Sequence, residues 1–381
     1  YNGTSWTEVD AASFPAITGV TTTNLISACT YHGRLFLIEK DQLRFWYLPA
    51  GVVGGAATSF DLSPFASMGG YIMWAATWTF DAGDGMDDMI VFMTSEGQAI
   101  IYTGIDPNSA SLWSRVGTYY LGKPLGRRAY IQFAGDLLAI TREGIFPMSE
   151  GIRKATINDR VAVSDKIKKS FNDASTAYGS NFGWEAAHYT NKNAMLFNIP
   201  IDTSTGQHQY VMNTVTGSWC RFTGWGAQCF GVYNNELYYG GSTVVQKAWN
   251  GVSDDGSNIV AEGQTAFNHF GNATQSKQWN LFRPMIQANG SIDYLTDIDI
   301  DFNQTTITGT ASYTSPTAGS WGTGTWGTAT WQGGYTTIRR WTSPDCDIGY
   351  YASGKIKIET NSTQVKWTAN DFVYETGGII G

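Results

Sequence analysis

The sequence predicts an all-β protein: a β-propeller of about six irregular four-stranded blades, each of about 50 residues, with an additional C-terminal β-rich region. Three observations predict it. An aromatic motif recurs at a near-constant interval, a hairpin motif recurs in step with it, and the composition is rich in aromatics and glycine but poor in charge.

The aromatic motif is a small polar residue, an aromatic, then an alternating tail. It occurs around Trp6, Phe60, Trp113 and Trp219, with gaps of 54, 53 and 106 residues, the last being twice the unit. Five hairpin signatures run in phase with it. In each an aromatic closes one strand, a polar or glycine turn follows, and an apolar strand begins: Tyr31/Leu35, Phe80/Met89, Phe133/Leu137, Tyr189/Met195 and Tyr233/Leu237. His32-Gly33, Gly135-Asp136 and Asn234-Asn235 are turn pairs that tolerate the positive φ a tight hairpin needs. A third alternating run follows each hairpin, and the aromatic motif supplies a fourth strand where it is kept. A generic β-sandwich lacks so long a period and stands as the alternative architecture.

The chain is expected to open on a lone fourth strand, Ser5–Val9, with no hairpin before it. A propeller has to close, so this strand is expected to share a composite blade with strands after 258. Where a fourth copy of the aromatic motif is due, near 166, the sequence turns helical. Ser164 is the expected N-cap, Asp165 lies in the first turn, and Ile167 and Phe171 fall four apart on one face, which predicts a short helix near 164–173. Its lysines, Lys166, Lys168 and Lys169, are read as a solvated face, with a dock for an acidic partner as the alternative. The expected domains are thus 1–257, the blades, and 258–381, a β-rich region partly closing the propeller. The latter alternates strictly at 291–303 and 353–375 and carries a Trp/Gly-rich loop between.

Composition narrows the function classes. Charged residues are 15% of the 381 and aromatics 14%, with 44 glycines against 10 prolines, a balance closer to extracellular or virion β-proteins than to a cytosolic helical enzyme. A net charge of −8 argues against gripping nucleic-acid phosphates. No apolar run of about 18 residues occurs, so no stable membrane insertion is expected. The sequence starts at Tyr1 with no signal-peptide pattern, and is expected to be a fragment or processed product. Cys29, Cys220, Cys229 and Cys346 show no zinc spacing. Free buried thiols are expected, a Cys220–Cys229 pairing across strands being the alternative.

No catalytic, cofactor or metal motif emerges, and the chain is expected not to be an enzyme. Asp297, Asp299 and Asp301 alternate with isoleucines and so share one face, read as the solvent face of an amphipathic strand, with a calcium site as the alternative. The acids from Asp81 to Asp88 are read as a lengthened hairpin turn. His32, His188, His208 and His269 stand in no metal or catalytic spacing, and Ser253–Asn258 only faintly suggests a sialidase aspartate box. Trp321, Trp326 and Trp331, in a low-charge glycine-rich stretch, form the candidate partner-contact loop.

Three stretches, 148–175, 184–200 and 209–225, together with 267–292 and the closing Phe372–Gly381, resemble the propeller-containing tail hub or nozzle proteins of short-tailed bacteriophages. The resemblance covers most of the chain from about residue 20. It implies a virion component in the phage tail, a homo-oligomer usually built as a hexameric ring, with portal and adaptor proteins above and tail fibres or spikes docked on it. Double-stranded DNA would pass through the channel without specific binding, which suits an acidic wall. The alternative function is an extracellular propeller that binds or processes glycans through exposed tryptophans.

Overall fold

The computed structural model describes residues 5–377 apart from 14, 82–85, 154–161, 203–205, 242, 291, 310–334 and 344–346. The chain divides into two compact units, Tyr1–Ala248 and Trp249–Gly381, a division that falls ahead of the expected 257/258 boundary.

The first unit is a β-propeller array of five consecutive antiparallel sheets, each a meander in chain order. In blade 1 a parallel two-residue pair, β1 (Ile17–Thr18) with β5 (Gly55–Ala56), flanks the four strands β2 (Leu25–Tyr31), β3 (Arg34–Glu39), β4 (Arg44–Tyr47) and β6 (Thr58–Asp61). Blade 2 is β7 (Ile72–Asp81), β8 (Met86–Thr94), β9 (Gln98–Gly104) and β10 (Trp113–Tyr120). Blade 3 has three strands, β11 (Tyr130–Phe133), β12 (Asp136–Thr141) and β13 (Gly144–Pro147), followed by helices α1 (Met148–Arg153) and α2 (Lys168–Tyr178). Blade 4 regains four: β14 (Glu185–Tyr189), β15 (Ala194–Pro200), β16 (Gln207–Asn213) and β17 (Trp219–Thr223). Blade 5 has three, β18 (Cys229–Tyr233), β19 (Glu236–Gly240) and β20 (Val245–Lys247).

The blades stack face to face, and the period-2 alternation of their strands shows it. On β8 and β9, Ile90, Phe92, Ile100 and Tyr102 join a core with blade 1, while Val91, Met93, Ala99 and Ile101 join a core with blade 3. On β12, Leu137 and Ala139 face blade 2, whereas Leu138 and Ile140 face blade 4. A strand buried on both faces explains the unbroken apolar run "MIVFM", which a one-sided sheet would interrupt with polar residues. Rings bridge the blades: Phe45 of β4 stacks on Phe92 of β8 at 4.4 Å, and Trp74 of β7 meets Tyr130 of β11 at 4.6 Å. Such pairs each add about 0.5–1.5 kcal/mol beyond the area they bury.

All five predicted hairpins form. Two of the turns are the pairs expected, His32-Gly33 (φ 45° and 70°) and Asn234-Asn235 (50° and 60°). In blade 3 the pair is Ala134-Gly135 (51° and 77°), because Phe133 pairs with Asp136 and so draws Asp136 into β12. A left-handed alanine is strained by its Cβ, so Ala134→Gly is expected to raise stability by about 1 kcal/mol in urea unfolding.

The helix expected near 164–173 forms as a 3-10 turn, Asp165–Ile167, running into α2. Ser164 does not cap it. Its Oγ accepts the Ile145 backbone N–H at 3.2 Å, tying the segment to β13. Phe171 and Ala174 enter the core between blades 3 and 4, beside blade 3, which has no fourth strand among the described residues. Lys169 pairs with Asp173 at 2.8 Å, and Lys166 donates to the Gly217 carbonyl at 2.8 Å.

Ser5–Val9, the expected opening strand, is irregular: no strand is formed there and residues 5–8 are exposed. The strands after 258 find their partners within the second unit, a two-sheet β-sandwich. One sheet is β21 (Ile259–Gln264), β23 (Tyr294–Ile300) and, between them, β26 (Ala352–Thr360); the other sets β24 (Thr336–Arg339) and β25 (Ile348–Gly349) on one edge of β22 (Lys277–Ala288) and β27 (Val365–Thr376) on the other. Trp279, Phe282, Ile286 and Ala288 of β22 face Tyr294, Ile298, Ile356 and Ile358 across the core. The sandwich held as an alternative for the whole chain thus describes this unit.

Candidate interaction surfaces

The three aspartates of β23 do not form a solvent face, nor do they frame an open cation site. Asp299 is fully buried and Asp297 largely so, because the chain returns over them at Thr305 and Lys355 of β26 reaches in from the neighbouring strand. The Lys355 Nζ stands 2.7 Å from Asp299 Oδ1 and 3.2 Å from Asp297 Oδ2. It also donates to the carbonyl and hydroxyl oxygens of Thr305. The Thr305 backbone N–H donates to Asp299 Oδ1 at 3.0 Å, its hydroxyl lies within hydrogen-bond reach of both carboxylates, and Gln264 Nε2 donates to Asp299 Oδ2 at 2.9 Å. Burial alone would push the Asp299 carboxyl up, yet the Lys355 ammonium and the Thr305 donors outweigh it and hold it below the ordinary carboxylate range. The lysine therefore does the neutralising work a calcium ion would otherwise do.

Asp301 leaves that face altogether. It takes a left-handed φ of 48°, ends β23, and its Oδ1 accepts the backbone N–H groups of Tyr350 and Tyr351, each at 2.8 Å.

Other candidates resolve into structure as well. Asp88 lies on β8 and accepts the Thr79 hydroxyl at 2.8 Å, while 82–85 lie outside the described residues. Ser253–Asn258 holds a tight turn in which Asp254 and Ser257 exchange backbone hydrogen bonds around left-handed Asp255 and Gly256. His188 sits edge-on to Phe133, and burial followed by the charge of Arg221 lowers the His208 imidazole. Among the described residues no group of His, Cys, Asp and Glu could hold a metal ion. Cys29, Cys220 and Cys229 are free, as expected, though Cys220 and Cys229 are exposed rather than buried. Burial pushes the Cys29 thiol up to about 12. Trp321, Trp326, Trp331 and Cys346 lie outside the described residues.

Three of the four repeated aromatics prove to be blade scaffold. Phe60 stacks on Phe45 at 5.2 Å, Trp113 on Tyr102 at 5.2 Å, and Trp219 on Phe197 at 5.5 Å. Trp219 also edges an open cleft of about 270 Å³ between α2 and β17, lined by Ile167, Ser170, Tyr210, Cys220 and Arg221.

Blade 5 is different. Its outer strand β20 pairs only with β19 among the described strands, and Val232, Tyr233, Val244 and Val245 are each more than half exposed. Sequence alternation locates these residues on strands but says nothing about whether a neighbour covers them. A missing fourth aromatic motif after 245 is the signal that could have found this edge.

No protein family matches the chain, and neither does any curated protein. Among solved structures it is similar to a putative 6-phosphogluconolactonase from Bacteroides uniformis, at 11% identity and a TM-score of 0.34, over 58% of this chain and 68% of that one. It is also similar to the WD40 domain of SCAP from fission yeast, at 7% identity and a TM-score of 0.28, over 88% and 84% of the two chains. Likenesses this distant carry no argument; the propeller assignment rests on strand order and blade packing. Among the described residues no helix is long and apolar enough to cross a membrane.

Proposed function

We propose that the chain is a structural virion protein, a subunit of the tail hub or nozzle of a short-tailed bacteriophage, and not an enzyme. The observation that carries this reading is the outer edge of the fifth blade: β20 pairs only with β19 among the described strands, and Val244 and Val245 at its start are each more than half exposed. Exposed apolar area of this kind marks a surface for assembly. The likeness of the sequence to tail proteins supplies the kind of assembly, a hexameric ring meeting portal and adaptor proteins on one side and fibres or spikes on the other. A net charge of −8 suits the wall of a channel that double-stranded DNA slides through without being held.

Native mass measurement and electron microscopy of the purified chain test this. A ring of six copies with a central channel, unchanged by added DNA, is the expected result. A monomer that retains glycans on an array would overturn it in favour of the carbohydrate-binding reading.

A further inference from the structure

The cleft between α2 and β17 encloses about 270 Å³. That falls below the roughly 300–1,000 Å³ of sites that hold a whole drug-sized ligand, and suits one ring with its substituents. Its lining joins two chemistries. Ile167, Tyr210 and Trp219 are half-buried and supply an apolar wall, while Ser170 and Arg221 are exposed and supply polar groups. The wall is fixed from behind. Trp219 stacks on Phe197 at 5.5 Å, and the Tyr210 hydroxyl donates to the Ser170 carbonyl at 3.1 Å, tying β16 to α2.

Charge at this cleft is unbalanced. The pairing of β16 with β17 sets Arg221 directly opposite Tyr210, and among the described residues no carboxylate pairs with Arg221. Lys166, one residue before Ile167, donates to the Gly217 carbonyl at 2.8 Å and meets no carboxylate among the described residues either. The one acid of α2, Asp173, is taken by Lys169 at 2.8 Å. Two cations without counter-ions thus stand beside an aromatic wall, in a chain whose net charge is −8.

We propose that this cleft binds an acidic sugar residue, a carboxylated pyranose such as a uronate or sialate, of an anionic polysaccharide. The apolar face of the ring lies against Tyr210 and Trp219, where its burial removes it from water. The carboxylate meets the Arg221 guanidinium, whose planar fork matches it with two parallel hydrogen bonds. A ring hydroxyl meets the Ser170 hydroxyl. A neutral sugar would leave Arg221 unpaired. A polyacidic peptide calls for a row of cations, and Lys169 is already neutralised here. This inference goes beyond the tail-hub reading and does not depend on it.

Ligand-observed NMR titration of the full chain tests it. The probes are a glucuronate oligomer, a glucose oligomer of the same length and a polyglutamate peptide. The glucuronate oligomer is expected to bind with a dissociation constant of about 1 mM, and the glucose oligomer about tenfold more weakly or not at all. Arg221→Gln is expected to weaken glucuronate binding by about tenfold and leave thermal melting unchanged, because the side chain is exposed and unpaired. Arg221→Lys keeps the charge without the fork and is expected to recover part of the loss. Ser170→Trp, which fills the cleft from an exposed helix position, is expected to abolish binding. Equal binding of the two sugars, binding that survives Arg221→Gln, or no saturable binding overturns the proposal. Tighter binding of polyglutamate overturns it in favour of an acidic protein partner. A ring that binds no glucuronate leaves the tail-hub reading standing, whereas a monomer that binds it removes that reading and leaves this one.

Discussion

Replacing Lys355 with methionine will destabilise the second unit by about 3–5 kcal/mol at neutral pH, the cost of leaving a buried carboxylate without its partner. Asp299 is buried, and the ammonium is 2.7 Å away. The pH dependence should also change sign. In the native chain the Asp299 carboxyl is held below its ordinary value, so its contribution is present above the unfolded value and fades as pH falls through the folded one. In Lys355→Met, burial is left unopposed and raises that carboxyl, so stability will be greatest in acid and fall as pH rises. Changing Asp299 to leucine in the same chain should restore part of the loss, since an apolar pair of similar volume needs no partner. Urea unfolding at several pH values measures all three; a Lys355→Met chain within about 1 kcal/mol of the parent at neutral pH would refute the arrangement.

Truncating Trp113 to alanine will cost about 3–5 kcal/mol, the range for a large aromatic removed from a packed core. Its indole is buried, stacks on Tyr102 at 5.2 Å and on Phe36 at 5.9 Å, and so joins blade 1 to blade 2. Trp6→Ala, which changes the same motif at an exposed position, will move monomer stability by no more than about 0.5 kcal/mol. The contrast is the informative part: one motif is scaffold in one place and surface in another. Near-UV circular dichroism during unfolding separates the outcomes, and equal losses for both variants would mean Trp6 is packed like Trp113.

Much of the propeller could be read from the residues because its signals are local. Turn pairs with positive φ, strands of alternating character and a fixed interval between aromatics all lie within about 50 residues of one another. Even the helix after blade 3 was legible from Ile167 and Phe171 sharing a face. What was lost is non-local. The shared face of Asp297 and Asp299 is plain in the alternation, but its burial depends on Lys355, which the sheet register brings opposite Asp297 from far along the chain. The sandwich pairing of β22 with β27 and the irregular state of Ser5–Val9 likewise depend on which edge finds which partner. Alternation cannot encode that choice.

The meander order of the blades bears on how the chain is made. Each strand pairs with one adjacent or nearly adjacent in sequence, so a growing polypeptide can complete blade 1 before blade 2 has been synthesised, and each finished sheet offers a template for the next. Construction of the blades then proceeds in one direction and ends at β20, which pairs only with β19 among the described strands. An edge that arises only after the four preceding blades delays pairing with another chain until the rest of that unit is already packed.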